Sequence, residues 1–196
     1  MGSRCRRETT GQVLGYRFIV PLPSGASCAM IKRMSKGRYE RDVLPAGLDD
    51  LWGSSCEWST AIAGASAKML AIPGYRESGH PEVLVVAREY LRRIKEGSPS
   101  TRALYSGRVE LPGAGVEAGS VVRLPLTALS ENEDFARTFA IGPGAALLRF
   151  ERGCRVMRYS DVEWITAGNF EVVSDRRKVD PFWKTPLRVI TLRRLS

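Results

Sequence analysis

The sequence predicts an α+β domain in which helices come first and short strands follow. Three observations carry this. The stretch PEVLVVAREYLRRIKE places Val83, Leu84, Ala87, Tyr90, Leu91 and Ile94 at three- and four-residue spacing, as on a helix with one apolar face. After Ser98-Pro99-Ser100 that period gives way to short runs rich in Val, Leu, Ile, Thr and Phe, divided by Gly and Asp, which read as strands. Helices grouped ahead of strands, rather than alternating with them, give the α+β class.

Each element can be justified in chain order. Two apolar runs within 12–34, separated by PLPSGA, read as strands of a hairpin-like entry, and SKGRYERDVLPAGLDD reads as a polar linker. From 52 to 72 the composition shifts to Ala, Gly and Ser with Trp58, Ile62, Met69 and Leu70, which predicts a helix with a small-residue face stopped by Pro73-Gly74. Pro81 suits the first position of the next helix and Gly97 its end. RALYSGRVEL, SVVRLPLTAL, GAALLRFE, VEWITA, NFEVV and PLRVITLRRL then read as strands, with a break at Ala167-Gly168. One helix interrupts them. Ser130-Glu131-Asn132-Glu133 predicts a capping box, the Ser130 hydroxyl capping the Glu133 N–H, and turns Phe135, Ala136, Phe139 and Ala140 inward. The expected organisation is a basic extension over 1–45 followed by one domain over 46–196. That domain comprises a helical lobe (46–98) and a β-rich core (100–196).

Composition narrows the function classes. With 43% hydrophobic and 26% charged residues in 196, the chain fits a globular protein with a core. No run of about 18 apolar residues predicts a membrane span. The basic start MGSRCRRETT is followed by no apolar signal core, so no secretory signal is read. Cysteines at 5, 28, 56 and 154 form no C-x-x-C pair and His80 is the sole histidine, which points to reduced thiols in an intracellular protein and to no metal site. The formal charge of +9 is uneven: residues 1–45 carry +6, residues 175–196 carry +5, and the stretch between them −2. Basic ends of this kind draw nucleic acid or an acidic partner. Neither G-x-G-x-x-G nor a GKS/GKT loop occurs, which disfavours a Rossmann or P-loop nucleotide site.

The candidate chemistry lies in the strands. In SDVEWITAGNFEVV, Asp161 and Glu163 stand two apart and so share a strand face. Alone, such a pair is usually a solvated strand edge. Here it is the third member of an ordered set. LYSGRVE carries Ser106 and Arg108 on one face behind Tyr105, and LPLTALS carries Thr127 and Ser130 just before a helix.

This order of basic strand, hydroxyl strand with helix, and acidic strand resembles the mono-ADP-ribosyltransferase family, in its bacterial toxin-like branch and its phage head-associated relatives. The resemblance covers roughly residues 100–174 and is carried by DVEWITAGNFEVV, LPLTALSENEDFARTFA and LYSGRVEL. It implies an ADP-ribosyltransferase-like split β core with an N-terminal helical lobe. It implies NAD as substrate and transfer of ADP-ribose to a protein acceptor with release of nicotinamide. By the match, Glu163 holds the nicotinamide-ribose hydroxyl and stabilises the positive charge that develops there, and Asp161 orients the acceptor. Arg108, or alternatively Arg102, holds the phosphates. Tyr105, Ser106, Thr127 and Ser130 complete the NAD-binding set, the hydroxyls orienting the glutamate. The segment RGCRVMRYS becomes the loop that meets the acceptor, with Tyr159 as a contact. The chain departs from the family pattern at Ser106, where an arginine is usual, at Ala128, where a serine is usual, and at Asp161, where Glu or Gln is usual. Three functions are therefore expected in order. The first is a protein-directed transferase acting in a bacterial cytoplasm, in a toxin or phage setting. The second is a catalytically degenerate copy of the fold serving as a phage structural or nucleic-acid-binding module, and the third is NAD hydrolysis without transfer.

Overall fold

A computed structural model describes residues 47–76, 80–108, 116–141, 144–181 and 184–195. The expected N-terminal strands, the basic extension and most of the polar linker lie outside the described residues, as do Gly142 and Pro143.

The helical lobe contains α1 (Leu51–Ser54), α2 (Cys56–Ala71) and α3 (Pro81–Glu96). Where the sequence predicts one helix over 52–72, the structure makes two. Ser55 leaves the helical region at φ −159° and its hydroxyl accepts the Trp58 N–H at 3.2 Å, so Ser55 caps α2. The third helix has the predicted bounds because its apolar spacing and Pro81 at the first turn agree. Its stripe of Val83, Val86, Ala87, Tyr90 and Ile94 is buried with Ile62 of α2.

The strands are β1 (Leu104–Arg108), β2 (Val121–Leu129), β3 (Ala146–Phe150), β4 (Met157–Arg158), β5 (Trp164–Val179) and β6 (Pro186–Arg194), with α4 (Glu133–Arg137) between β2 and β3. They form one sheet in the order β1-β3-β6-β5-β2, with β4 on β5. The β3–β6 pair is parallel and the others are antiparallel. The sheet curls back on itself: Tyr105 of β1 and Ser130, just past β2, exchange backbone N–H···O bonds of 2.8 Å in both directions.

Curling gives the sheet two apolar faces. The inner face holds Leu104, Leu124, Leu129, Leu148, Phe150, Phe170, Val172, Ile190 and Leu192. On the other face Leu126, Ile165 and Ala167 pack against α2 and α3. Ser66 of α2 pins the helices to the sheet, its buried hydroxyl accepting the Leu126 N–H at 2.9 Å. That bond falls where the β2–β5 register shifts between Leu124 and Thr127, beside Pro125, which has no N–H to give the ladder.

Three local expectations are corrected. The predicted break at Ala167-Gly168 is absent, because β5 runs unbroken for 16 residues with Gly168 at φ +126°. Only glycine takes that backbone state without strain, so here it lets the strand continue instead of ending it. The cap of α4 is Asn132, whose Oδ1 accepts the Phe135 N–H at 3.0 Å, while the Ser130 hydroxyl accepts from the Asn132 N–H at 3.1 Å. The register is therefore shifted by two residues from the predicted capping box. Finally, Ala136 is buried but Phe135 is 41% exposed, resting edge-on against Phe139 at 5.3 Å. A five-residue helix turns only one side chain fully inward.

Candidate functional site

Glu163 lies immediately before β5. Its backbone carbonyl accepts the N–H groups of Tyr159 (3.0 Å) and Ser160 (2.9 Å), closing the tight turn that delivers it. The Ser160 hydroxyl accepts the Val162 N–H at 3.3 Å inside the same turn. The Glu163 side chain is half-buried and reaches the helical lobe, where Oε1 accepts the indole N–H of Trp52 at 2.9 Å. Trp52 is itself buried, 6.2 Å from the Tyr90 ring, and Tyr90 is 6.3 Å from Tyr159. The Tyr159 hydroxyl accepts the backbone N–H of Gly53 at 2.9 Å. A Cβ on Gly53 would stand 2.6 Å from that oxygen, so any larger residue there would displace the Tyr159 hydroxyl. The strand start and α1 are thus joined at two adjacent points, Trp52 to Glu163 and Gly53 to Tyr159.

Electrostatics follow from this enclosure. Burial pushes the Glu163 carboxyl above its ordinary 4.5, and the Trp52 hydrogen bond pulls the other way. Burial, followed by the charge of Glu163, pushes the Tyr159 phenol up as well. Asp161 differs from Glu163: it is exposed, and its Oδ1 accepts from Arg158 Nη2 at 3.2 Å.

The basic and hydroxyl residues take other positions. Arg108 and Thr127 are buried and bonded to each other, Arg108 Nη2 donating to Thr127 Oγ1. Thr127 Oγ1 in turn donates to the Pro125 carbonyl at 2.7 Å. Ser106 and Arg108 follow the inward Leu104 at two-residue steps and share its face, and Thr127 is paired with Thr166, so this couple belongs to the inner face. Glu163 meets Trp52 on the helix-covered face. The structure therefore brings the cation and the alcohol together and sets the carboxylate on the other side of the sheet. Ser106 is buried beside them, and Tyr105 is half-buried against Leu147 and α4. Arg102 is exposed and pairs with Glu131 at 3.0 Å.

Two adjoining clefts open beside the start of β5. One, of about 290 Å³, is lined by Ser100, Thr101, Arg102, Leu104, Glu131, Arg158 and Trp164. The other, of about 400 Å³, shares Ser100, Thr101, Arg158 and Trp164 and adds Arg93 and the chain from Gly97 to Pro99. Arg158 lies over the Trp164 ring at 5.5 Å. The Ser100 hydroxyl is buried in the shared wall with no hydrogen-bond partner. Glu163 lines neither cleft, although its neighbour Trp164 lines both. Among the described residues no group of three or more His, Cys, Asp or Glu side chains is placed to hold a metal ion.

Sequence reasoning did not find Trp52, Gly53 or the Trp164–Arg158 cleft. Trp52 is 111 residues from Glu163, and nothing in its local spacing signals a partner so distant.

With N-terminal helices set against a curled mixed sheet, the architecture is the ADP-ribosyltransferase fold, the class of the bacterial ADP-ribosyltransferase toxins. Two solved structures illustrate the likeness. Plx2a, an ADP-ribosyltransferase toxin from Paenibacillus larvae, is 11% identical with a TM-score of 0.52, the match covering 86% of this chain and 96% of that one. The C3 exoenzyme of Clostridium limosum is 12% identical with a TM-score of 0.50, covering 86% and 93%. At such identities the likeness is one of fold. No family model matches the chain, and no curated protein matches it. No helix among the described residues is long and apolar enough to cross a membrane.

Proposed function

We propose that the chain is a toxin-like mono-ADP-ribosyltransferase that uses NAD as substrate and modifies a protein acceptor. The observation that carries this reading is Glu163: a half-buried carboxylate held at the start of β5 by a buried donor, within an ADP-ribosyltransferase fold. Bound NAD supplies a nicotinamide–ribose C–N bond, which breaks with its electron pair leaving on nicotinamide while the acceptor nucleophile bonds to the ribose carbon. The developing positive charge is what a fixed carboxylate stabilises, and Glu163 takes that role. Asp161, exposed two residues earlier, orients the acceptor.

The donors beside β5 suit a dinucleotide. Arg102 and Arg158 are among the residues lining the first cleft, and guanidinium groups suit a diphosphate. The Ser100 hydroxyl is a buried polar group still lacking a partner. We assign phosphate binding to Arg102 and Arg158. Arg108, bonded to Thr127 inside the sheet, braces β1 against β2. Ser106, Tyr105 and Ser130 support the same strand junction, where Tyr105 and Ser130 are backbone-paired. Both structures compared are bacterial toxins or exoenzymes, so the setting proposed is toxin-like rather than that of a phage particle.

A second reading has its own observation. Arg108 and Thr127 share no face with Glu163, and Ser106 and Ala128 stand where an arginine and a serine are usual. A binding module that keeps the fold without the chemistry would show this. Incubation with adenylate-labelled NAD and bacterial lysate separates the two. Labelled protein together with free nicotinamide supports the transferase, and nicotinamide alone supports NAD hydrolysis. The absence of both, with salt-dependent binding to nucleic acid unaffected by Glu163→Ala, supports the module.

A further inference from the structure

We infer that Trp52 is the positioning residue for Glu163: its indole N–H, donated to Oε1, sets the carboxylate's rotamer and leaves Oε2 to face the substrate. The inference rests on the catalytic role proposed for Glu163. The geometry supports it by exclusion as well as by contact. The residues expected from sequence to orient this carboxylate are hydroxyls at 127 and 130. Thr127 is bonded to Arg108 and Pro125 on the inner face, and the Ser130 hydroxyl accepts from the Asn132 N–H. The residue between them on the glutamate's side is Ala128, paired with Ile165 and carrying no donor. The donor that does reach the carboxylate comes from α1, 111 residues away.

Trp52 suits the task because it cannot drift. It is only 7% exposed, it belongs to the core cluster with Ile62, Tyr90 and Ile165, and the next residue, Gly53, is fixed by its N–H bond to Tyr159. An indole N–H donates and cannot accept, so the bond favours the ionised carboxylate against the burial that opposes it. The groups facing Glu163 from every packed element are consistent with this. Trp52 comes from α1, Tyr90 from α3 and Tyr159 from its own turn, with the carboxylates of Asp49 and Asp50 near the tyrosines and Arg93 near Tyr90. None of these supplies a second donor to Glu163 among the hydrogen bonds seen.

The test uses the full chain and its Trp52→Phe variant, which keeps an aromatic ring in the core and removes only the N–H. In the wild type, the Trp52 indole proton resonance is expected to move downfield as Glu163 ionises, and to stop titrating in Glu163→Gln. In Trp52→Phe, ¹³C NMR of the Glu163 carboxyl is expected to show a higher pKa. The acid limb of nicotinamide release moves up by the same amount, and kcat falls roughly ten- to a hundred-fold with KM for NAD little changed. An indole resonance that ignores the Glu163 titration overturns the inference even if Trp52→Phe does not fold. So does a folded Trp52→Phe protein whose Glu163 pKa and pH profile match the wild type, in which case wild-type nicotinamide release leaves the transferase reading standing. A wild type that titrates as described but releases no nicotinamide at any pH removes the transferase reading and the positioning role together.

Discussion

At the residue scale the account turns on one carboxylate whose burial is unfavourable to its charge. Glu163 titrates above its ordinary 4.5 in the folded chain. Between 4.5 and the higher folded value the native state keeps a proton that the unfolded state has lost. Stability therefore falls as pH rises through that window and stays reduced above it. Glutamine in its place keeps an oxygen for the Trp52 indole and never ionises. Glu163→Gln is accordingly expected to melt above the wild type at pH 7, the gap closing at or below pH 4.5. Thermal melts of the two proteins across that range check this. A Tm difference independent of pH would show that the carboxylate is not held as described. The result has a functional side, since a group that destabilises its own fold beside a cleft is a common mark of a working site.

At the element scale α4 and the turn after it lie close against β1. A Cβ at Gly107 would overlap the Ala136 carbonyl oxygen and stand 2.8 Å from the Ala140 nitrogen. Both obstacles are backbone and cannot rotate away. Gly107→Ala should push α4 off the strand and lower stability by about 1–3 kcal/mol or more, read from urea unfolding. Asn132→Ala, which removes the cap of the same helix, should cost about 1 kcal/mol. If Gly107→Ala were neutral, α4 would not pack where it is placed. These elements also show what the sequence made legible. The third helix could be read residue by residue because its apolar spacing, its proline and its end all agree. Most strands could be read because their composition changes abruptly at Ser98-Pro99-Ser100. The fifth strand looked broken because glycine often signals a turn, and only the backbone shows that the strand runs on through Gly168 at positive φ. The split between α1 and α2 was hidden because Ser55 is one serine among many, and its capping role depends on a local turn. The two-residue strand β4 lay inside RGCRVMRYS, too short to carry any period.

At the scale of the whole molecule, order along the chain revealed more than geometry within it. The succession of basic, hydroxyl and acidic strands pointed to the ADP-ribosyltransferase fold, which the architecture bears out. Which face each side chain takes was not legible, because the β2 register shift at Pro125 and the curl at Tyr105–Ser130 decide it from residues far apart. The basic C-terminal stretch also reads differently once folded. Lys178 pairs with Glu133, Arg188 with Asp175 and Arg193 with Glu151, so part of that charge is neutralised within the domain. Binding of a polyanion to this end should therefore be weak and should fade with added salt, as fluorescence anisotropy of a labelled oligonucleotide would show. The most direct test of the central claim is the initial rate at which the full chain frees nicotinamide from NAD, compared with Glu163→Gln. The account expects measurable release by the wild type and a fall of about a hundred- to a thousand-fold in the variant; equal rates in the two proteins, or no release by either, would contradict it.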